Sequence, residues 1–141
     1  MKVSHHVRAQ NLLDRRKRHQ KSGLLIAKRL AEHDSVTRVH HPGLSPCDYS
    51  SLKGYGGLFS FELADAVDIP TFCDALSLFR LGVSWGGYES LVMPAEVSIN
   101  QAGDYNAAID FGVSPRTIRL FIGLENPEEL WNDLMRAFSG A

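Results

Sequence analysis

Apolar positions along this chain fall into helical and strand-like runs that alternate from end to end. Leu12 and Leu13, then Leu24, Leu25, Ile26, Ala27, Leu30 and Ala31, predict one long helix from about Asn11 to Glu32, with its apolar side strongest in the second half. Val36 to Val39 alternates apolar and polar and predicts a short strand. His40 to Gly57 is rich in Pro, Gly and Ser and reads as a loop. Leu58-Phe59-Ser60-Phe61-Glu62-Leu63 predicts a second strand from its aromatics. A helix follows from Ile69 to Phe79, with Asp68 as N-cap and Pro70 in its first turn. Two short strands, Leu81 to Ser84 and Ser90 to Met93, flank a break at Gly86-Gly87. Val97 to Asn106 reads as loop, and Thr117 to Ile122 as the last strand. Asn126 then caps the last helix, Pro127 takes its first position, and Glu129 is placed to return the capping hydrogen bond. Leu130, Trp131, Leu134 and Phe138 form the expected buried stripe of that helix. Few strands, irregularly crossed by helices, predict an α/β fold of the α+β type: a small, mostly antiparallel sheet with helices packed on one face. Internal repeats and low-complexity tracts are absent.

Composition narrows the classes of function. The 141 residues amount to one ordinary domain, long enough to bury roughly two-thirds of the surface its unfolded form exposes. A net charge of −1 gives no reason to expect nucleic acid or a membrane surface as partner. Cys47 and Cys73 are far apart and lack metal-type spacing, which fits a reducing, cytoplasmic setting. No apolar run approaches a membrane span of roughly 18 residues, and the polar start has no apolar signal core.

Several local patterns invite a chemical reading. The adjacent pairs His5-His6 and His40-His41 would point to opposite faces of a strand, so neither makes a two-ligand metal site. Arg15-Arg16-Lys17-Arg18 could be a localisation or nucleic-acid signal, but acidic residues balance the total charge and a solvated helix face is the preferred reading. Ser50-Ser51-Leu52-Lys53 places a serine three residues before a lysine, yet within a loop and beside no other catalytic signature. Gly54-Tyr55-Gly56-Gly57 precedes a strand rather than a helix N-terminus, so it reads as the close approach that starts that strand, not as a phosphate cradle. Ser84-Trp85-Gly86-Gly87-Tyr88-Glu89-Ser90 is more informative: two glycines let backbone groups approach a ligand beside a hydroxyl and an indole, or else form a tight turn capped by a core tryptophan. Arg119 stands in the otherwise apolar run Thr-Ile-Arg-Leu-Phe-Ile. A buried guanidinium is costly unless paired, so it meets either a protein carboxylate or an anionic ligand.

Together these motifs resemble the Cys/Met metabolism family of pyridoxal-phosphate enzymes. The resemblance rests on Phe79 to Leu91, ending Ser-Trp-Gly-Gly-Tyr-Glu-Ser-Leu, and on Thr117 to Leu134, with Ile-Arg-Leu-Phe-Ile-Gly-Leu-Glu-Asn-Pro-Glu-Glu-Leu. Leu58 to Phe61 and the pattern from His19 through Leu30 to Val39-His40-His41-Pro42 also match. The likeness thus runs from about Arg15 to Phe138. The Ser-Trp-Gly-Gly-Tyr form is similar to the cystathionine β-lyase branch, where other branches usually carry leucine in place of Trp85. It implies the C-terminal domain of a transferase-fold enzyme, catalysing carbon–sulfur β-elimination on a small amino-acid substrate with pyridoxal 5'-phosphate as cofactor, as a homo-oligomer of the complete protein. By this resemblance Arg119 grips the substrate α-carboxylate, while Ser84 and Trp85 line the same pocket.

One departure from the family is large. Its cofactor-binding domain, with the Schiff-base lysine, is not found in residues 1–141. Lys2, Lys17, Lys21, Lys28 and Lys53 are the only lysines, and none sits in the expected strand-like context. No catalytic, cofactor-binding or metal residue is therefore assigned. The chain is expected to be a truncated product, an excised domain or one part of a split enzyme, inactive alone. A non-catalytic remnant that binds partner subunits or a carboxylate is the alternative.

Overall fold

A computed structural model describes residues 5–45, 53–101 and 105–141. Five strands form one sheet in the order β1-β2-β5-β4-β3: β1 (Val36–His40), β2 (Leu58–Leu63), β3 (Arg80–Leu81), β4 (Leu91–Pro94) and β5 (Thr117–Phe121). All neighbours are antiparallel except β3 and β4. The predicted sheet is thereby observed.

Alternation decides which face is buried. On β2, Phe59, Phe61 and Leu63 are buried; on β5, Ile118 and Leu120 are fully so. The ladder pairs Phe59 with Leu120 and Phe61 with Ile118, so their side chains share one face. Three helices cover that face: α1 (His5–Ala31), α2 (Ile69–Ala75) and α5 (Pro127–Gly140). They contribute Ile26, Ala27 and Leu30, then Ile69 and Phe72, then Leu130, Leu134, Ala137 and Phe138 to one cluster. Two short helices, α3 (Ala95–Ile99) and α4 (Ala107–Asp110), follow β4.

Local chemistry explains most boundaries. The Asp68 carboxylate accepts from the Thr71 amide and begins α2, and Asn126 Oδ1 accepts from the Glu128 amide and begins α5. Ile122 donates to the Gly57 carbonyl at 2.8 Å, so the glycine loop that starts β2 closes onto the end of β5.

The structure corrects four details. First, α1 begins six residues before Asn11, since Arg8, Ala9 and Gln10 favour helix and nothing there breaks it. Second, α2 stops at Ala75, not Phe79. The Asp133 carboxylate on α5 collects the amides of Ser77, Leu78 and Phe79, and those donors leave the helix for it. Third, the segment expected as loop from Val97 holds part of α3 and precedes α4, which the Asn106 side chain caps through the Ala108 amide. Fourth, the first-turn carboxylate of α5 that finds a partner is Glu128, not Glu129: Glu128 forms a two-point ion pair with Arg29 of α1 at 2.8 Å. Trp131 is only partly buried, beneath that Arg29 guanidinium, while Asp133 takes a buried place on the same helix.

Two outcomes follow for stability. Asp133 is 2% exposed and holds three backbone amides, so Asp133→Ala should lower unfolding free energy by about 2–3 kcal/mol, read from the urea midpoint. The hydrogen bond from Arg29 holds the Glu128 carboxyl below its ordinary 4.5. A depressed carboxyl stabilises fully above its unfolded value, and that contribution is lost as pH falls through the folded one. Glu128→Gln should therefore flatten part of the acid limb of a stability–pH profile below about pH 4.5, with little effect on its slope near neutrality.

Candidate functional site

The face of the sheet away from α1, α2 and α5 carries one row of side chains across four strands. Ladder partners His40, Ser60, Arg119 and Met93 stand side by side on β1, β2, β5 and β4. All four line a 410 Å³ cavity that Val83, Ala95, Ala108 and Val113 help to close. At one end, His40 Nε2 lies 2.7 Å from Glu62 Oε1. The neighbouring His41 is buried instead, with Nδ1 accepting from the Gly43 amide, and burial pushes its imidazole below the ordinary 6.5. His5 and His6 have side chains outside the described residues, as do Ser50, Ser51 and Cys47.

Arg119 is the decisive group. Among the described residues its guanidinium donates one hydrogen bond, to the Val83 carbonyl at 2.7 Å. Among the described residues no carboxylate lies within ion-pair distance of it. Glu125, which follows Arg119 by six residues, is taken by Ser90. An arginine with spare donors over an apolar cavity can receive a planar anion through two parallel hydrogen bonds.

The turn after β3 brings the other sequence-predicted residues close by. Val83, which receives Arg119, directly precedes Ser84, and Ser84 is exposed. Trp85 is 68% exposed, which removes the reading of a core tryptophan. It lines a second, 330 Å³ cavity with Leu12, Arg15, His19 and Phe121 rather than the one holding Arg119. His19 donates from Nδ1 to the Ile122 carbonyl at 2.8 Å, because a carbonyl can only accept.

Sequence reasoning missed Arg15. Three members of the basic run are solvated, but Arg15 reaches the Gly86 carbonyl at 2.6 Å and ties α1 to the turn. Periodicity could not single it out within four consecutive cations.

The Cys/Met metabolism PLP-dependent enzyme family profile matches residues 9–139 of this chain. The chain belongs to that family. It is 36% identical to the cystathionine β-lyase of Haemophilus influenzae over 135 residues, covering 88% of this chain and 33% of that one. Against the cystathionine β-lyase of Escherichia coli it is 38% identical over 133 residues, covering 89% and 33%. A crystal structure of cystathionine γ-lyase from Lactobacillus plantarum, complexed with L-serine, superposes with a TM-score of 0.79 at 28% identity, covering 89% of this chain and 34% of that one. The chain thus spans about a third of the length of the curated relatives it matches.

The family depends on pyridoxal phosphate, and the described residues do not fit that cofactor's attachment. Lys17, Lys21, Lys28 and Lys53 are all exposed, and none lines either cavity. Burial pushes the Cys73 thiol up to about 11, with Asp74 adding to it, so this cysteine stays protonated and is no nucleophile.

Because Arg119 faces the open side of the sheet, it does not support the core. Arg119→Met should change unfolding free energy by less than about 1 kcal/mol in chemical denaturation. A structural anchor would cost several times that.

Proposed function

We propose that this chain is the substrate-carboxylate-binding part of a pyridoxal-phosphate carbon–sulfur lyase of the cystathionine β-lyase kind. Arg119 holds the α-carboxylate of a small amino-acid substrate, and the turn carrying Ser84 and Trp85 borders the same substrate. The observation that carries this reading is Arg119 itself, which meets no carboxylate among the described residues and lines an apolar cavity. Bound pyridoxal phosphate supplies an electron sink for cleavage. The chain's own part is to orient: a bidentate guanidinium fixes the substrate's carboxylate plane and so the direction of its other bonds. The row on the open face adds Ser60 as a hydroxyl beside Arg119 and Met93 as an apolar wall.

The catalytic lysine belongs to a part of the enzyme outside these residues, on this proposal. A second reading, a carboxylate-binding module without catalysis, draws on the exposed, off-cavity position of the described lysines.

Both are tested on the 141-residue chain. L-serine should shift backbone NMR signals at Arg119 and at 83–90, its methyl ester should not, and Arg119→Met should abolish the shifts. With added pyridoxal phosphate and L-cystathionine the chain should release no pyruvate, and borohydride should trap no cofactor on a single defined lysine. Shifts that survive Arg119→Met would overturn the carboxylate site. Pyruvate release lost on mutating one lysine would overturn the placement of the catalytic lysine elsewhere.

A further inference from the structure

The segment from Gly82 to Ser90 joins two adjacent parallel strands, β3 and β4. Parallel neighbours ordinarily need a crossover of about a dozen residues or more. Here nine residues double back, and β3 contributes only Arg80 and Leu81 at the sheet edge. So short a ladder cannot set the position of the turn. Tethers to other parts of the chain must do so.

Four tethers are present among the described residues. Arg119 donates to the Val83 carbonyl and Arg15 to the Gly86 carbonyl, both at exposed positions. The other two lie at the far end and are linked. The Leu124 amide donates to the Tyr88 carbonyl at 2.7 Å. Ser90, which is fully buried, gives its amide to Glu125 Oε1 at 2.7 Å and its hydroxyl to Glu125 Oε2 at 2.9 Å. The same hydroxyl accepts from the Gly123 amide at 2.9 Å, so every polar group of Ser90 here has a partner. Gly123 allows this approach: a methyl group there would overlap the Tyr88 carbonyl oxygen and the Glu89 backbone. Residues 123–125 follow Ile122 just past the end of β5, the strand that presents Arg119.

From this geometry we infer that Glu125 is a positioning residue. Through Ser90 it clasps the Ser84–Glu89 turn to the end of the Arg119 strand, so that guanidinium and turn face a substrate as one rigid unit. The clasp itself stands on the distances above; its role in substrate binding rests on the carboxylate reading of Arg119. A carboxylate is required because both of its oxygens accept, whereas a glutamine amide of the same shape offers only one acceptor.

Hydrogen exchange of the 141-residue chain tests the clasp, and L-serine binding followed by NMR tests its role. In Glu125→Gln, exchange at Leu124 and at residues 84–89 should accelerate about tenfold, and L-serine affinity should fall about tenfold, as for one lost hydrogen bond to a charged group. Amides of β2 and β5 should keep their protection. Ser90→Ala should reproduce both losses, and the double variant should lose no more than either single one. If Ser90→Ala does not fold, Glu125→Gln decides alone. Unchanged exchange at Leu124 and the turn overturns the clasp. Faster exchange with unchanged L-serine affinity overturns the positioning role and leaves a merely structural contact. If the unmodified chain shows no Arg119-dependent L-serine binding, the carboxylate reading fails instead, and the exchange data still decide whether Glu125 holds the turn.

Discussion

The register between β2 and β5 is the constraint on which this molecule depends. With Phe61 opposite Ile118, one face of the sheet is apolar and sits beneath three helices. The same register puts Ser60 opposite Arg119 on the other face. A slip of one residue would bury the guanidinium and expose Phe59, Phe61, Ile118 and Leu120 together. Burying an unpaired charge costs several kcal/mol, and so does exposing such side chains, so core and site enforce one alignment. The arginine's place is a consequence of how the core is built.

Two carboxylates then do for the loops what the ladder does for the strands. Asp133 gathers the amides of Ser77, Leu78 and Phe79 and fixes the chain between α2 and β3. Glu125 gathers the amide and hydroxyl of Ser90 and fixes the other end of the turn, just before β4. Between them lies the turn whose Val83 carbonyl receives Arg119. Buried donors in such a segment need acceptors, and a carboxylate supplies two oxygens without needing a strand partner. Irregular backbone can then border a ligand without collapsing onto it.

The family's chemistry divides accordingly. Membership is shown by the match across residues 9–139, and about a third of the relatives' length is represented. The described lysines stay on the surface, away from the cavities. What the described residues present is a cavity lined by Arg119 beside a turn whose Val83 carbonyl that arginine holds.

Sequence alone determined the elements whose periodicity or caps are local. Strand β2 was legible from its aromatics, and both helix starts from Asp68 and Asn126, because each signal acts over a few residues. Arg119 was legible as a candidate because a lone cation in an apolar strand is anomalous. Whether it met a protein carboxylate or an open cavity was not. That answer depends on Glu125 being held by Ser90, 35 residues away, and on Val83 reaching across from the turn. The end of α2 was misplaced for the same reason: the group that ends it, Asp133, lies on another helix. Trp85 and Arg15 needed the tertiary structure as well, since the approach of α1 to the Gly86 carbonyl assembles the cavity around them. Local hydrogen bonds and periodicity are written into neighbouring residues. Long-range carboxylate–amide contacts have no short-range signature, and only packing decides which donors they find.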